Sequence, residues 1–298
     1  SRDRFGIKPF HYIEKNGAFH FASEYKALRC SPHFSAALNV NQALRGVQMG
    51  WNAYHDETYY TVVRTLPAAS NLVWENGKSR ISRYWEIDTS NLSHEDEGNL
   101  TAGFREKFND SIRLHMRSDV EVGGCLSGGL DSSAIASSVA AMYPDAPFKT
   151  FTVYYDGPGG VDERPWADQV LKRYPSLDPY YFQPTDEDIT ATFEDAIFHA
   201  DVPLAGSSPI SQYFVMRLAA RQGIKVLLDG QGSDEFLGGY MHSFYRLIGD
   251  RLSRLRISNA LAEWRAHCTT QSFTFGKSLD VLLKSMMAGS MSEQLLYS

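Results

Sequence analysis

Between Val120 and Leu228, short apolar runs alternate with longer amphipathic ones, and this alternation constrains the fold more than any other feature of the chain. Val120–Leu126, Thr150–Tyr154, Tyr180–Phe182 and Lys225–Leu228 read as strands. Helical periodicity covers about Asp131–Met142, Arg164–Tyr174, Asp186–Ala200 and Pro209–Gln222. Strands joined through helices predict an α/β fold, a parallel sheet with helices on both faces. Such sheets bind ligands just beyond the carboxyl ends of their strands. The loops after Leu126, Val153 and Leu228 are therefore where function is expected.

The first 90 residues follow a different rule. HYIEKNGAFHFAS alternates around Asn16-Gly17, and LVWENGKSRISRYWEI does so around Asn76-Gly77, the signature of two-residue hairpins. Asn41–Val47 reads as a short helix between them. The polar, acidic stretch DTSNLSHEDEGN (Asp88–Asn99) is the best linker, which divides the chain into residues 1–90 and 91–298. A helix over Leu100–Arg117 follows it, and Tyr240–Ser298 reads as helical throughout.

Composition narrows the classes. Apolar residues make up 43% and charged residues 21%, the balance of a globular protein able to bury a core. The net charge of −6 is scattered, which argues against a nucleic-acid surface. No apolar run approaches the roughly 18 residues of a membrane span. Three widely spaced cysteines, Cys30, Cys125 and Cys268, form no metal-like cluster and predict a reduced, cytoplasmic setting. Cys125 lies inside a strand and is read as core. The chain starts at Ser1 without an initiator Met and reads as a segment of something longer.

The stretch VGGCLSGGLDSSAIASSVA (Val122–Ala140) passes from strand to helix through Ser127-Gly128-Gly129-Leu130-Asp131-Ser132-Ser133. Glycines let backbone approach a ligand closely, and a helix amino end favours anions. Serine hydroxyls add donors for phosphate oxygens. There is no Lys of the Walker type, and Asp131 beside a phosphate implies a magnesium ion between them. The alternative is a plain Gly/Ser connection with Ser or Asp as helix cap.

SGGLDSS resembles the pyrophosphate-binding loop of the ATP pyrophosphatase enzymes. LLDGQGSDEFLGGY (Leu227–Tyr240) resembles the LLSGEGSDE-FGGY signature of the glutamine-hydrolysing asparagine synthetase B family. SRDRFGIKPFHY and FASEYKAL are similar to segments at and just after the end of that family's Ntn-type glutaminase domain. The resemblance implies a β-rich glutaminase tail over 1–90, followed by an ATP pyrophosphatase-like synthetase domain that is incomplete at its carboxyl end. The implied activity is that of an ATP-dependent ligase of asparagine and amino-acid biosynthesis. Aspartate becomes β-aspartyl-AMP, and ammonia from glutamine displaces AMP. The implied small-molecule partners are ATP, magnesium, aspartate or another carboxylate, and ammonia; a homodimer is left open, and no nucleic acid or membrane is implied.

Carried over residue by residue, Ser127, Gly128, Gly129, Asp131, Ser132 and Ser133 hold the β- and γ-phosphates. Leu126 and Val153 end strands where the family holds adenosine, and Asp229-Gly230 occupies the place of a Ser-Gly beside the nucleotide. Asp131 and Asp234 share the magnesium. Gln231, Asp234 and Glu235 form the catalytic set, although Glu235 reads equally as a helix-terminal carboxylate. Gly238-Gly239-Tyr240 marks a close backbone approach, with Tyr240 read as a core aromatic. His199 reads as surface, and Ser208 as the N-cap of a helix with Pro209 at N1.

Three departures from the family stand out. No cysteine lies near Ser1, so the chain alone is expected not to hydrolyse glutamine and, as a fragment, to be inactive. Leu261–Ser298 does not match a family segment reading like DR-SM-SVE-R-PFLD. Family members commonly carry Glu, a presumed general base, where this chain has Gln231, and an amide cannot accept a proton near neutral pH. The alternatives are an amidotransferase or amide synthetase for another carboxylate, and a nucleotide-binding module without catalysis.

Overall fold

The computed structural model describes residues 1–88, 97–156, 162–270 and 273–290. It divides into two compact units: Ser1–Gly129 with Ala136–Leu228, and Leu130–Ile135 with the chain from Asp229 onward.

The first unit opens with β1 (His11–Lys15) and β2 (Ala18–Ala22), then α1 (Tyr25–Leu28), α2 (Val40–Met49), β3 (Arg64–Thr65), β4 (Ser70–Glu75) and β5 (Lys78–Arg83). Both expected hairpins form. Lys15 pairs with Ala18 across Asn16-Gly17, and Glu75 pairs with Lys78 across Asn76-Gly77. All four turn residues have positive φ, from 51° to 76°, as a type I′ turn requires. Ile13, Tyr25, Leu28 and Val63 form the local core. The linker expected over Asp88–Asn99 falls largely on residues outside the described ones, and α3 (Glu97–His115) takes in its end.

The alternating elements then follow: β6 (Val122–Cys125), α4 (Leu130–Met142), β7 (Phe148–Val153), α5 (Arg164–Arg173), β8 (Leu177–Phe182), α6 (Asp186–Ala200), α7 (Ser208–Arg221) and β9 (Val226–Leu228). The four strands form one parallel sheet in the order β8-β7-β6-β9. Both faces are covered, because the strands alternate. Val122, Leu126, Phe148 and Leu177 pack with Ile112 of α3, Val139 of α4 and Ala167 of α5. Cys125 and Phe151 pack on the other side with Val215 and Ala219 of α7, so Cys125 is core as expected. α7 begins one residue earlier than its sequence suggests. Ser207, not Ser208, is the N-cap, and its side chain makes no capping hydrogen bond.

The amino-terminal strands are tied to the helices by an exchange of helix ends. Asp201, in the left-handed conformation at the carboxyl end of α6 (φ 61°), accepts from the Tyr25 N–H at 2.8 Å and the Lys26 N–H at 3.3 Å. Lys26 Nζ lies 3.3 Å from the same carboxylate and donates to the Phe198 carbonyl at 3.1 Å. A carboxylate meets the positive end of α1 and an ammonium the negative end of α6, the favourable sign in both places.

The second unit comprises the first turn of α4 with α8 (Ser233–Leu237), α9 (Met241–Ser253), α10 (Ile257–Thr270) and α11 (Phe275–Ser290). Among the described residues the helical reading from Tyr240 onward therefore holds in α9, α10 and α11. No helix among the described residues is long and apolar enough to cross a membrane.

Candidate active site

In the order β8-β7-β6-β9, the chain grows outward in one direction from β6 to β8 and resumes on the other side at β9. The strand order therefore reverses between β6 and β9, where a parallel sheet opens a crevice at its carboxyl edge. The two loops singled out in the sequence, after Leu126 and after Leu228, leave from these two neighbouring strands.

In the first unit, Leu126 is fully buried and its N–H donates to the Phe151 carbonyl at 3.0 Å, while its own carbonyl accepts from the Thr152 hydroxyl. This fixes the last residue before the turn from both sides. The Ser127 Oγ accepts from the Gly129 N–H at 3.2 Å, drawing the turn tight. Gly128 has φ 86°, and a Cβ there would lie 2.7 Å from the Glu163 carbonyl oxygen and 3.0 Å from the Trp166 Cβ. Only glycine fits, on grounds of both conformation and space. Val153, at the end of β7, is half-buried against the sheet core.

In the second unit, Asp131, Ser132 and Ser133 occupy the first turn of α4, whose amino end carries partial positive charge. Gly230 packs onto this turn so closely that a Cβ would lie 2.8 Å from the Asp131 Cβ. The Asp131 carboxyl is held above the usual carboxylate range, first by burial and then by the neighbouring charge of Asp234. Two carboxylates placed near enough to repel each other are relieved by a divalent cation, so this pair fits magnesium. Among the described residues no three or more His, Cys, Asp or Glu side chains gather as a self-sufficient metal site.

The loop after β9 is held by its own polar groups. The Gln231 N–H donates to Asp229 Oδ1 at 3.3 Å, and the Ser233 hydroxyl donates to the Gly230 carbonyl at 2.7 Å. The Gln231 side chain is exposed. Glu235, on the five-residue α8, accepts from the Tyr240 hydroxyl at 3.1 Å. Tyr240 is therefore not a core aromatic as its sequence suggested: it is 42% exposed and is turned toward a carboxylate. The close approach expected at Gly238-Gly239 is found at Gly239, where the Asp234 carboxylate fills the space a side chain would need, whereas Gly238 is required for its φ of 72°. His199 is exposed, 3.7 Å from Asp195.

Sequence reasoning missed the wall behind Gly128, built from the first turn of α5. No spacing rule links Gly128 with Glu163 and Trp166, and Pro165 marks only a helix start.

Comparison with known proteins adds the family. Residues 103–293 match the family model described as asparagine synthase, and residues 1–85 match that of a glutamine amidotransferase domain. Asparagine synthetase [glutamine-hydrolyzing] 2 of Bacillus subtilis is 32% identical over 257 residues, 80% of this chain and 34% of that protein. Amidase chyE of Penicillium rubens is 27% identical over 256 residues, and amidase chry2 of Gibberella zeae 26% over 258, each across 80% of this chain and 37% of the relative. The chain thus spans about a third of the length of these curated relatives. With the asparagine synthase match running from α3 into the final helix, over the parallel sheet and both loops at its reversal point, the protein belongs to the asparagine synthase family.

Proposed function

We propose that this chain carries the ATP-binding core of an amide-forming ligase that converts aspartate to asparagine through β-aspartyl-AMP, with ammonia drawn from glutamine. The observation that carries the reading is the Gly128 turn, held at φ 86° and closed by the first turn of α5, at the reversal point of a parallel sheet. Ser127, Gly128 and Gly129, with Asp131, Ser132 and Ser133 one turn on, bind the β- and γ-phosphates. Leu126, Val153, Asp229 and Gly230 border the nucleoside. Asp131 and Asp234 would hold a magnesium ion, which would supply positive charge against the departing pyrophosphate. The turn's N–H groups and the α4 amino end stabilise the same charge without moving, because they are already oriented. Gln231 orients the incoming nitrogen by hydrogen bonding and does not take its proton, while Glu235 holds Tyr240. Residues 1–90 belong to the glutaminase portion and 91–298 to the synthetase portion.

The test is pyrophosphate release by a protein of the relatives' full length, with ATP, magnesium and ammonia. Release that requires aspartate supports the reading; release with other carboxylates but not aspartate overturns its substrate.

A second reading, amide formation on another carboxylate, is favoured by Gln231 and by the similarity to two proteins named as amidases. Gln231→Glu separates the two. If aspartate is the substrate, a restored general base speeds single-turnover amide formation by about 10²-fold or more, with adenylation unchanged. No change or a loss in the amide step, with adenylation intact, favours the second reading.

A further inference from the structure

α5 starts without a cap of its own. Glu163 precedes it in a helical conformation and makes no side-chain capping bond. What holds this helix end is Arg164. Its Nε lies 2.8 Å from Asp162 Oδ1 and its Nη2 3.0 Å from Asp162 Oδ2, a two-pronged pair. The same Nη2 donates to Asp156 Oδ1 at 2.8 Å, and the Arg164 N–H donates to Asp162 at 3.0 Å. The guanidinium carbon sits 3.7 Å from the centre of the Tyr154 ring, and Tyr154 continues the β7–β8 ladder through its N–H to the Phe182 carbonyl. The Asp162 carboxyl is held below its usual range, first by the Arg164 hydrogen bonds.

Arg164 therefore bolts the amino end of α5 to the carboxyl end of β7. That helix end is also the wall on which Gly128 rests: the Glu163 carbonyl and Trp166 Cβ leave no space beyond the glycine. We propose that Arg164 is a positioning residue for the phosphate-binding turn, setting the place of Gly128 through the first turn of α5 without touching the ligand. The proposal rests on the reading of that turn given above. A misplacement of about 1 Å at a positioned site costs up to about 10²-fold in rate, so a side chain that fixes the wall also fixes how the turn meets its ligand.

The test uses the 298-residue chain, with Mg-ATP affinity from calorimetry and amide exchange of the peptide spanning Gly128. Arg164→Met is expected to weaken Mg-ATP binding about tenfold, the loss of a charge-assisted hydrogen-bonded anchor, and to speed exchange in the turn without ligand. Two further variants separate positioning from charge felt through space. Arg164→Lys keeps the charge but not the fork, and is expected to remain impaired. Asp162→Asn removes a negative charge, so charge alone predicts tighter binding of the anion, whereas loss of the anchor predicts weaker binding. Full rescue by Arg164→Lys together with tighter binding by Asp162→Asn overturns the proposal. So does unchanged exchange in Arg164→Met. If the unsubstituted chain does not bind Mg-ATP but Arg164→Met still loosens the turn, the nucleotide reading fails and the positioning of Gly128 stands.

Discussion

The amino-terminal hairpins and the parallel sheet solve the same problem, a backbone at positive φ, in opposite surroundings. Gly17 closes the β1–β2 hairpin at φ 72° with nothing within 4 Å of where a Cβ would stand. Gly128 opens the turn after β6 at φ 86°, enclosed by α5. The first glycine answers only to its neighbours in sequence, whereas the second answers to residues more than thirty positions away. The contrast extends to the polar groups. In the hairpin region they tie strand to strand or helix to helix end, as Asp201 does for α1. In the second unit, by contrast, burial and then the nearby charge of Asp234 hold the Asp131 carboxyl above its usual range.

Four experiments sharpen or break this contrast. Gly128→Ala is expected to show the largest effect, about 3 kcal/mol of destabilisation from left-handed strain and overpacking together, read by urea denaturation. If it costs no more than Gly17→Ala, the packed wall is not a constraint. Asp131→Ala is expected to weaken Mg-ATP binding on the order of 100-fold while changing Mg-free ATP binding little, measured by calorimetry. Equal weakening of both would remove the metal role.

The third concerns His11, whose Nδ1 lies 2.8 Å from Thr65 Oγ1. Burial, and then the charge of Arg2, push its pKa down to about 4. The folded protein thus binds fewer protons than the unfolded chain between pH 6.5 and 4. His11 therefore contributes its full stability above about pH 6.5, and that contribution is lost as pH falls toward 4. The loss is on the order of 2 kcal/mol after allowing for its partial solvent contact. His11→Gln should flatten the stability profile over that window; an unchanged slope would place the titrating group elsewhere. The smallest effect is expected for Gly17→Ala, about 1 kcal/mol from conformation alone, with the hairpin retained.

Local chemistry was legible wherever neighbours in sequence are neighbours in space. Asn-Gly between alternating runs specified both hairpins, and helical periodicity found α3 to α7 to within a few residues. N-capping slipped by one at Ser207, which precedes the helix in a helical conformation without a side-chain capping bond, so no hydroxyl signal in the sequence marks the start. Tyr240 was misread as core because an aromatic's hydroxyl goes where a partner lies, and its partner Glu235 is placed by the fold of the loop.

By itself, the sequence of this protein determined that its strands alternate with helices, that Ser127–Ser133 joins a strand to a helix, and that Asp131 and Asp234 follow strands. These are statements about consecutive residues, which backbone sterics and side-chain periodicity decide locally. Only the tertiary structure decided that β9 returns to lie beside β6, pairing Val122 with Val226, and, within the second unit, that Gly230 packs on the Asp131 turn. It also decided that α5 closes behind Gly128. Register between strands a hundred residues apart is set by which side chains fill the shared core, here the β9 residue Leu227 packed into the space left by its β6 partner Gly123. That complementarity belongs to pairs of distant residues and is written in neither partner alone.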